Sequence, residues 1–166
     1  MFSLFAFAQL CASNFNKQKM ENRISINAVS PQAYKAMYAL EAYLAKAEIS
    51  KTLKELIKIR ASQINNCAFC IDMHTRDALK NGETNQRIFL LSAWKEATRF
   101  FSQEEQTVLE MTEEITLISQ GGLSEATYHK ASQIFSEVQI AEIIMAVVTI
   151  NAWNRIAVST HQEITE

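Results

Sequence analysis

From Ser30 onward the apolar positions recur at helical intervals. Ser30-Pro31 marks a helix start, with Ser at the N-cap and Pro at the first helical position, where the missing N–H has no partner to lose. Tyr34, Met37, Tyr38 and Leu44 then form a stripe that runs to about Ala47. Ser50 caps a second helix whose stripe is Leu53, Leu56, Ile57 and Ile64, with Lys51, Lys54 and Lys58 on the water side. Asn65-Asn66 breaks it, because Asn competes with the helical backbone for hydrogen bonds. Asn66 is also placed to cap a third helix, which starts at Cys67 and runs to about Lys80, where Asn81-Gly82 stops it.

Thr84 opens a fourth helix with Ile88, Leu91 and Trp94 inward. Ser102 with Glu105 reads as a capping box, so a fifth helix begins there and carries Val108, Leu109, Ile115 and Ile118 until Gly121-Gly122. Ser124 starts a sixth, with Tyr128, Ala131 and Phe135 on its apolar side. A second capping box, Ser136 with Gln139, opens the last helix, from about Val138 to Ser159. This one is apolar on nearly every face between Ile140 and Ile150, the pattern of a helix buried all round, in a core or against another subunit. No stretch shows a clear strand pattern. The expectation is an all-α domain of six to seven helices.

Composition sharpens this picture in two places. There are only 3 Gly and 1 Pro among 166 residues, too few for a hairpin-rich protein and enough for long helices joined by short loops. Apolar residues at 48% and charged residues at 20% are ordinary for one globular domain with a sizeable core. A net charge of −2 carries no basic excess, so neither nucleic acid nor an anionic membrane is an expected partner.

The first nineteen residues stand apart. Phe2 to Leu10 is a short apolar run with no Lys or Arg before it, the first being Lys17. A secretory signal needs a basic start, and the run is too short to span a bilayer. Cys11 follows Ala8-Gln9-Leu10, a poor lipoprotein box. The reading is an N-terminal extension over 1–19, a poorly ordered tail or an upstream start with Met20 as the natural first residue, followed by one domain over 20–166. Cys11 is then a free thiol in the tail.

Chemistry concentrates in Asn65-Asn66-Cys67-Ala68-Phe69-Cys70-Ile71-Asp72-Met73-His74, which holds two of the 3 cysteines and one of the 3 histidines. On a helix Cys67, Cys70 and His74 share one face. A free thiol near pKa 8.5 is only a few per cent thiolate at neutral pH. The exposed N–H groups and macrodipole of a helix N-terminus stabilise the anion, which by itself favours Cys67. His74, one turn beyond Cys70, is placed to take the proton of that thiol and make it the nucleophile. A carboxylate would complete the relay. Glu55 or Asp72 is available. Asp72 sits at i+2 from Cys70 and faces away, which favours Glu55 from the preceding helix.

Glu55, eleven residues, Cys67-Ala68-Phe69-Cys70, three residues and His74 together resemble the E-x11-C-x2-C-x3-H signature of the alkyl hydroperoxidase D (AhpD) family, within the carboxymuconolactone decarboxylase-like superfamily. The likeness extends over roughly Asn22 to Thr160, and takes in Lys54 to Gln63, Cys70 to Thr75 and Ile150 to Arg155. It implies an all-helical fold that assembles into a homotrimer or homohexamer. It also implies a thiol peroxidase in which Cys70 is peroxidatic, Cys67 resolving, and His74 with Glu55 the proton relay, Glu55 acting as general base. Cys70 would attack an organic hydroperoxide and become a sulfenic acid, and Cys67 would condense with it to a Cys67–Cys70 disulfide. A dithiol reductant of lipoyl or thioredoxin-like type would reopen the disulfide, with no cofactor and no metal, in the cytoplasm. Peroxidase members of the family often carry His just before the second cysteine. Here Phe69 stands there, which removes one proton-handling group, makes the pocket more apolar and favours larger organic hydroperoxides.

Blander readings accompany each residue. The cysteines can be small buried hydrophobes, or zinc ligands with His74, although no further Cys is placed as a fourth ligand. Glu55 can be one charge on a Lys-rich face. His129 and His161 read as surface residues, and Trp94 and Trp153 as core or interface. Asn151, Asn154 and Arg155 need polar partners, at a subunit interface or in the pocket. Two other functions compete with peroxidase activity: lactone decarboxylase chemistry, which does not need two cysteines, and a redox-sensing oligomer that oxidises once without turnover.

Overall fold

The computed structural model describes residues 23–164. The expected 1–19 extension and Cys11 lie outside the described residues, as do the two C-terminal ones. Among the described residues eight α-helices follow in order: α1 (Ile26–Val29), α2 (Pro31–Ala45), α3 (Lys51–Ile64), α4 (Ala68–Lys80), α5 (Asn85–Leu90), α6 (Gln103–Thr116), α7 (Glu125–Ser132) and α8 (Glu137–Thr160). Short 3₁₀ turns sit at Leu91–Ala93, Thr98–Phe100 and Ile118–Gln120, and among the described residues there is no strand. The all-α expectation holds. α1, capped by Ser25, is the additional helix.

Side-chain caps set most of the boundaries. Ser50, Thr84, Ser102, Ser124 and Ser136 each accept the N–H three residues on, and Ser102/Glu105 and Ser136/Gln139 form both capping boxes in full. Ser30 occupies its N-cap without a side-chain bond, and Pro31 alone marks that start. The fourth expected helix stops at Leu90 and passes into a 3₁₀ turn, yet Ile88, Leu91 and Trp94 are all buried as their spacing requires. α6 ends at Thr116, one 3₁₀ turn before Gly121.

The core is built around α3, which packs on α4, α6 and α8. One face, with Leu53, Ile57 and Ala61, joins Val108, Met111, Ile143, Val147 and Ile150 in the larger cluster. The opposite face, with Leu56 and Ile59, joins Leu91, Trp94, Phe101 and Leu109 in the smaller one. Helix α3 is therefore buried on more of its circumference than the four-residue stripe suggested. Lys54 and Lys58 do not face water. The Lys54 ammonium donates to the Leu44 and Ala47 carbonyls at 2.9 and 3.4 Å, closing the α2 C-terminus, and Lys58 lies between carboxylates.

Three further stripes need correction. In α2 only Leu44 is buried, and Tyr38 is exposed. In α7 Tyr128 points outward and Thr127 takes the buried position beside Ala131. α8 is not covered all round within one chain. Val148 is exposed and, with Ile115 and the exposed Ile118, walls an open groove of about 330 Å³. α8 is long and apolar enough to cross a membrane by length and composition, and 56% of its apolar window is buried inside the fold. One acid breaks that apolar run. The Glu142 carboxylate, itself buried, accepts the backbone N–H of Glu48 at 2.9 Å and of Ile49 at 3.2 Å, tying the α2–α3 corner to α8.

Glu113 on α6 gathers the second cluster's polar edge. It accepts from Arg60 at 2.8 Å, from the Trp94 indole at 2.7 Å and from Lys95 at 2.7 Å. Burial pushes its carboxyl up, but the bonds from Lys95 and Trp94 and the Arg60 guanidinium outweigh burial and hold it below the ordinary 4.5. A carboxyl depressed in the folded state stabilises the fold above its unfolded value and loses that contribution as pH falls through its folded value. Glu113→Gln is therefore expected to cost about 1 kcal/mol at pH 7, after allowance for solvent screening. The gap from the wild type should close below pH 4.5. Urea titrations of both proteins at pH 7 and pH 3.5 measure it. A gap that is constant with pH would place the effect in packing.

Candidate active site

The site begins at the corner between α3 and α4. At the end of α3, Asn65 N–H bonds to the Ala61 carbonyl, Asn66 N–H to Gln63 and Cys67 N–H to Ser62. This is a Schellman closure, and it needs a left-handed residue at the position Asn66 occupies, with φ 53°. Asn tolerates that region better than other residues that carry a Cβ. The corner leaves Cys67 extended, and Cys67 itself, not Asn66, is the N-cap of α4. Its Sγ accepts the Cys70 N–H at 3.4 Å. One residue thus closes α3 and opens α4. Cys67 and Cys70 are joined in a disulfide with Cα atoms 5.4 Å apart, and both are buried.

Polar groups of α8 hold this corner. The Asn65 amide donates to Asn151 Oδ1 and to Asn154 Oδ1, each at 2.9 Å. Asn154 donates on to Ser62 Oγ at 2.9 Å, and Asn151 to Thr116 Oγ1 at 3.0 Å. Arg155 donates to Asn151 Oδ1 at 2.9 Å. The partners that these three polar residues of an apolar helix require are therefore within the same chain. A buried amide network of this kind is satisfied only in one arrangement, which fixes the register of the corner against α8.

His74 follows Cys70 by one turn of α4 and is 6% exposed. Its Nδ1 lies 3.0 Å from Glu55 Oε2, whose side chain is 12% exposed. Asp72 is half-buried and paired with Arg76 at 3.1 Å, so Glu55 is the carboxylate that meets His74. Lys58 approaches the other Glu55 oxygen at 3.5 Å and Glu41 Oε2 at 3.9 Å. His129 is exposed on α7 and is not among the residues that line the cavity beside Cys70 and His74. His161 caps α8 in a left-handed conformation, and its Nδ1 is buried without a hydrogen-bond partner. Among the described residues no group of three or more His, Cys, Asp or Glu is arranged to hold a metal ion.

Cys70 and His74 both line a cavity of about 350 Å³ between α2, α4 and α8. Its wall is aromatic. Trp153 packs edge-on to Tyr34 with ring centroids 5.3 Å apart and lies 5.8 Å from Tyr38, and Phe69 and Met73 complete the apolar lining. Glu41 also lines it, and accepts the Trp153 indole N–H at 2.9 Å. Trp153, read from the sequence as core or interface, is a wall residue of this cavity. Tyr34 and Tyr38 stand at i and i+4 of α2, a spacing that marks them as one face but not what the face encloses. A buried disulfide, an adjacent carboxylate–imidazole pair and an apolar cavity reaching one of the two sulfurs can carry thiol redox chemistry on an apolar molecule.

Residues 31–114 match the model of the carboxymuconolactone decarboxylase family. The chain is 44% identical over 140 residues to uncharacterized protein YdfG of Bacillus subtilis (strain 168), a match covering 84% of this chain and 95% of that one. Among solved structures it resembles protein ATU0492 of unknown function from Agrobacterium tumefaciens, named as a candidate antioxidant defence protein AhpD. The TM-score is 0.84 and the identity 35%, over 88% of this chain and 99% of that one. It also shares its fold with the AhpD core of an uncharacterized peroxidase-related protein from Ralstonia eutropha JMP134. There the TM-score is 0.74 at 15% identity, covering 84% of this chain and 74% of that one.

Proposed function

Because the chain belongs to the carboxymuconolactone decarboxylase family and is AhpD-like, we propose that it is a thiol peroxidase acting on organic hydroperoxides. The observation that carries this reading is the convergence of Cys70, His74 and Glu55 beside the aromatic cavity, with the Cys67–Cys70 disulfide already closed. Glu55 engages Nδ1 of His74, so exchange with the thiol falls to Nε2. In the reduced protein His74 takes the Cys70 proton. The thiolate attacks the distal oxygen of the hydroperoxide, the O–O bond breaks, and the leaving alkoxide takes up the proton to depart as the alcohol. Cys70 is then a sulfenic acid. Cys67 attacks its sulfur, and hydroxide leaves as water once protonated.

The oxidised product is the disulfide, and a dithiol must return two electrons to it. Cys70 lines the cavity and Cys67 does not, so the incoming thiolate meets Cys70 first. A slender lipoyl-type arm suits that approach, and a thioredoxin-like protein is the other donor class. Phe69 on the cavity wall favours alkyl or aryl hydroperoxides over hydrogen peroxide. The same reading places the protein in the reducing cytoplasm and in a homotrimer or homohexamer, for which the Ile115–Ile118–Val148 groove is an available face.

The test is turnover. Reduced protein is mixed with excess cumene hydroperoxide and dihydrolipoamide, and cumyl alcohol is counted against protein. Many equivalents of alcohol per chain are expected, all lost when both cysteines are alkylated beforehand. One equivalent, followed by arrest at the disulfide with every dithiol tried, would leave the redox sensor. Conversion of a lactone acid by the alkylated protein would favour the decarboxylase.

A further inference from the structure

Lys58 does not line the cavity, yet it sits between the two carboxylates of the site. Each carboxylate divides its oxygens in the same way. Glu55 gives Oε2 to His74 and Oε1 to Lys58. Glu41 gives Oε1 to the Trp153 indole and Oε2 to Lys58. A continuous line therefore runs from His74 through Glu55, Lys58 and Glu41 to Trp153, and both of its ends line the cavity. We propose that Lys58 is a positioning residue of the peroxidase site: its ammonium supplies the shared counter-charge that aims Glu55 at His74 and, through Glu41, holds the aromatic wall. The proposal rests on the peroxidase reading above.

Burial and charge set this pair apart from an ordinary surface contact at i and i+3. Exposed pairs of that kind contribute little. Here the Lys58 side chain is 15% exposed and Glu55 12%, so screening by salt is reduced. The formal charges show what the ammonium does in the activated state. When His74 holds the proton it has taken from Cys70, the ammonium and the imidazolium together match the two carboxylates, and the one remaining negative charge is the Cys70 thiolate. Without Lys58, two carboxylates face one imidazolium, and the Glu55 side chain loses the contact that fixes its second oxygen. The groups that face Lys58 come from three elements: Glu41 on α2, Glu55 on α3 and, behind Glu55, His74 on α4. Glu83 shares a small crevice with Glu55 but is committed to Arg87 at 2.8 Å. α8 contributes the neutral Trp153.

The experiment follows disulfide formation after cumene hydroperoxide addition, by rapid quench, thiol alkylation and mass spectrometry, from pH 5 to pH 9. It compares wild type, Lys58→Met and Lys58→Arg, each checked for an unchanged melting temperature. Lys58→Met is expected to be about tenfold slower at pH 7, with the acid limb of its profile moved up by about one pH unit, since carboxylates without a cation protonate more readily. Lys58→Arg should recover to within about threefold, as it keeps the charge and the reach. A Lys58→Met profile that overlays the wild type would overturn the proposal. So would one lowered equally at every pH and not rescued by Arg, the mark of a merely structural role. Should Lys58→Met not fold, Lys58→Gln is read by the same criteria. Failure of the wild type itself to react defeats the peroxidase reading instead, and the two failures are distinct.

Discussion

Glu55→Gln should slow peroxide-driven closure of the Cys67–Cys70 disulfide by about 100-fold, within the span expected for loss of general acid–base assistance, and Cys70→Ser should abolish it. Glutamine is nearly isosteric and can still accept a hydrogen bond from His74 Nδ1, so the ring orientation survives the change. What disappears is the negative charge 3.0 Å from the imidazole, and with it, on the proposed relay, the support for an imidazolium that holds the thiol's proton. The helix N-terminus remains and still favours a thiolate, which is why a residual rate is expected and not complete loss. Single-turnover oxidation of reduced wild type, Glu55→Gln and Cys70→Ser separates the contributions. A Glu55→Gln rate within about threefold of the wild type would assign activation to the helix terminus alone. Oxidation of Cys70→Ser at an undiminished rate, trapped as a Cys67 sulfenic acid, would exchange the roles of the two cysteines.

The second large effect is on stability, and it arises at the N-terminal end of α3, the end opposite the disulfide. Glu142→Ala removes a buried acceptor from two backbone N–H groups, those of Glu48 and Ile49. Neither has another partner at the corner that precedes Ser50, the N-cap of α3. Two unsatisfied donors and a void in place of the carboxylate argue for a loss of about 3 kcal/mol. In urea that corresponds to a midpoint lowered by about 1 to 2 M. Glu142→Gln keeps one carbonyl acceptor but turns an amide N–H₂ toward the same donors, and should fall about midway. A loss below about 1 kcal/mol for the alanine variant would mean that water replaces the carboxylate. Because α3 bears Glu55, partial activity loss in a still-folded Glu142→Gln would link the corner to the relay.

Local signals in the chain carry much of this architecture, and for a physical reason. A capping serine or threonine acts on an N–H three residues away, so Ser50, Thr84, Ser102, Ser124 and Ser136 can be read without knowing anything distant. The Glu55, Cys67, Cys70 and His74 spacing is legible in the same way, since it lies within two consecutive helices. What depends on the approach of remote elements is not. Periodicity tells that Tyr34 and Tyr38 share a face, and that Trp153 lies on an apolar helix. It does not tell that α2, α4 and α8 converge with about 350 Å³ left between them. Lys54 and Lys58 read as water-facing because lysine usually is, and apart from Glu55 on the same helix their partners, two carbonyls and the Glu41 carboxylate, come into range only once α2 and α3 are folded together. Asn66 reads as a cap because asparagine often caps. The Schellman closure of α3 uses it as the left-handed residue instead and passes the capping role to Cys67.

Trp153 offers an optical test of the proposed thiol chemistry. The chain has only two tryptophans. Trp94 is packed in the smaller cluster with its indole on Glu113, while both sulfurs belong to the larger one, so its emission is expected to stay constant. Trp153 shares the cavity with Cys70, where a disulfide quenches an excited indole by accepting an electron and a pair of thiols does so far less. If the site cycles as proposed, its redox state is expected to show in the intrinsic fluorescence of the unlabelled protein. A single Trp94→Phe variant would isolate that signal, so that oxidation by peroxide and reduction by a dithiol could be followed as opposite changes in one emission band.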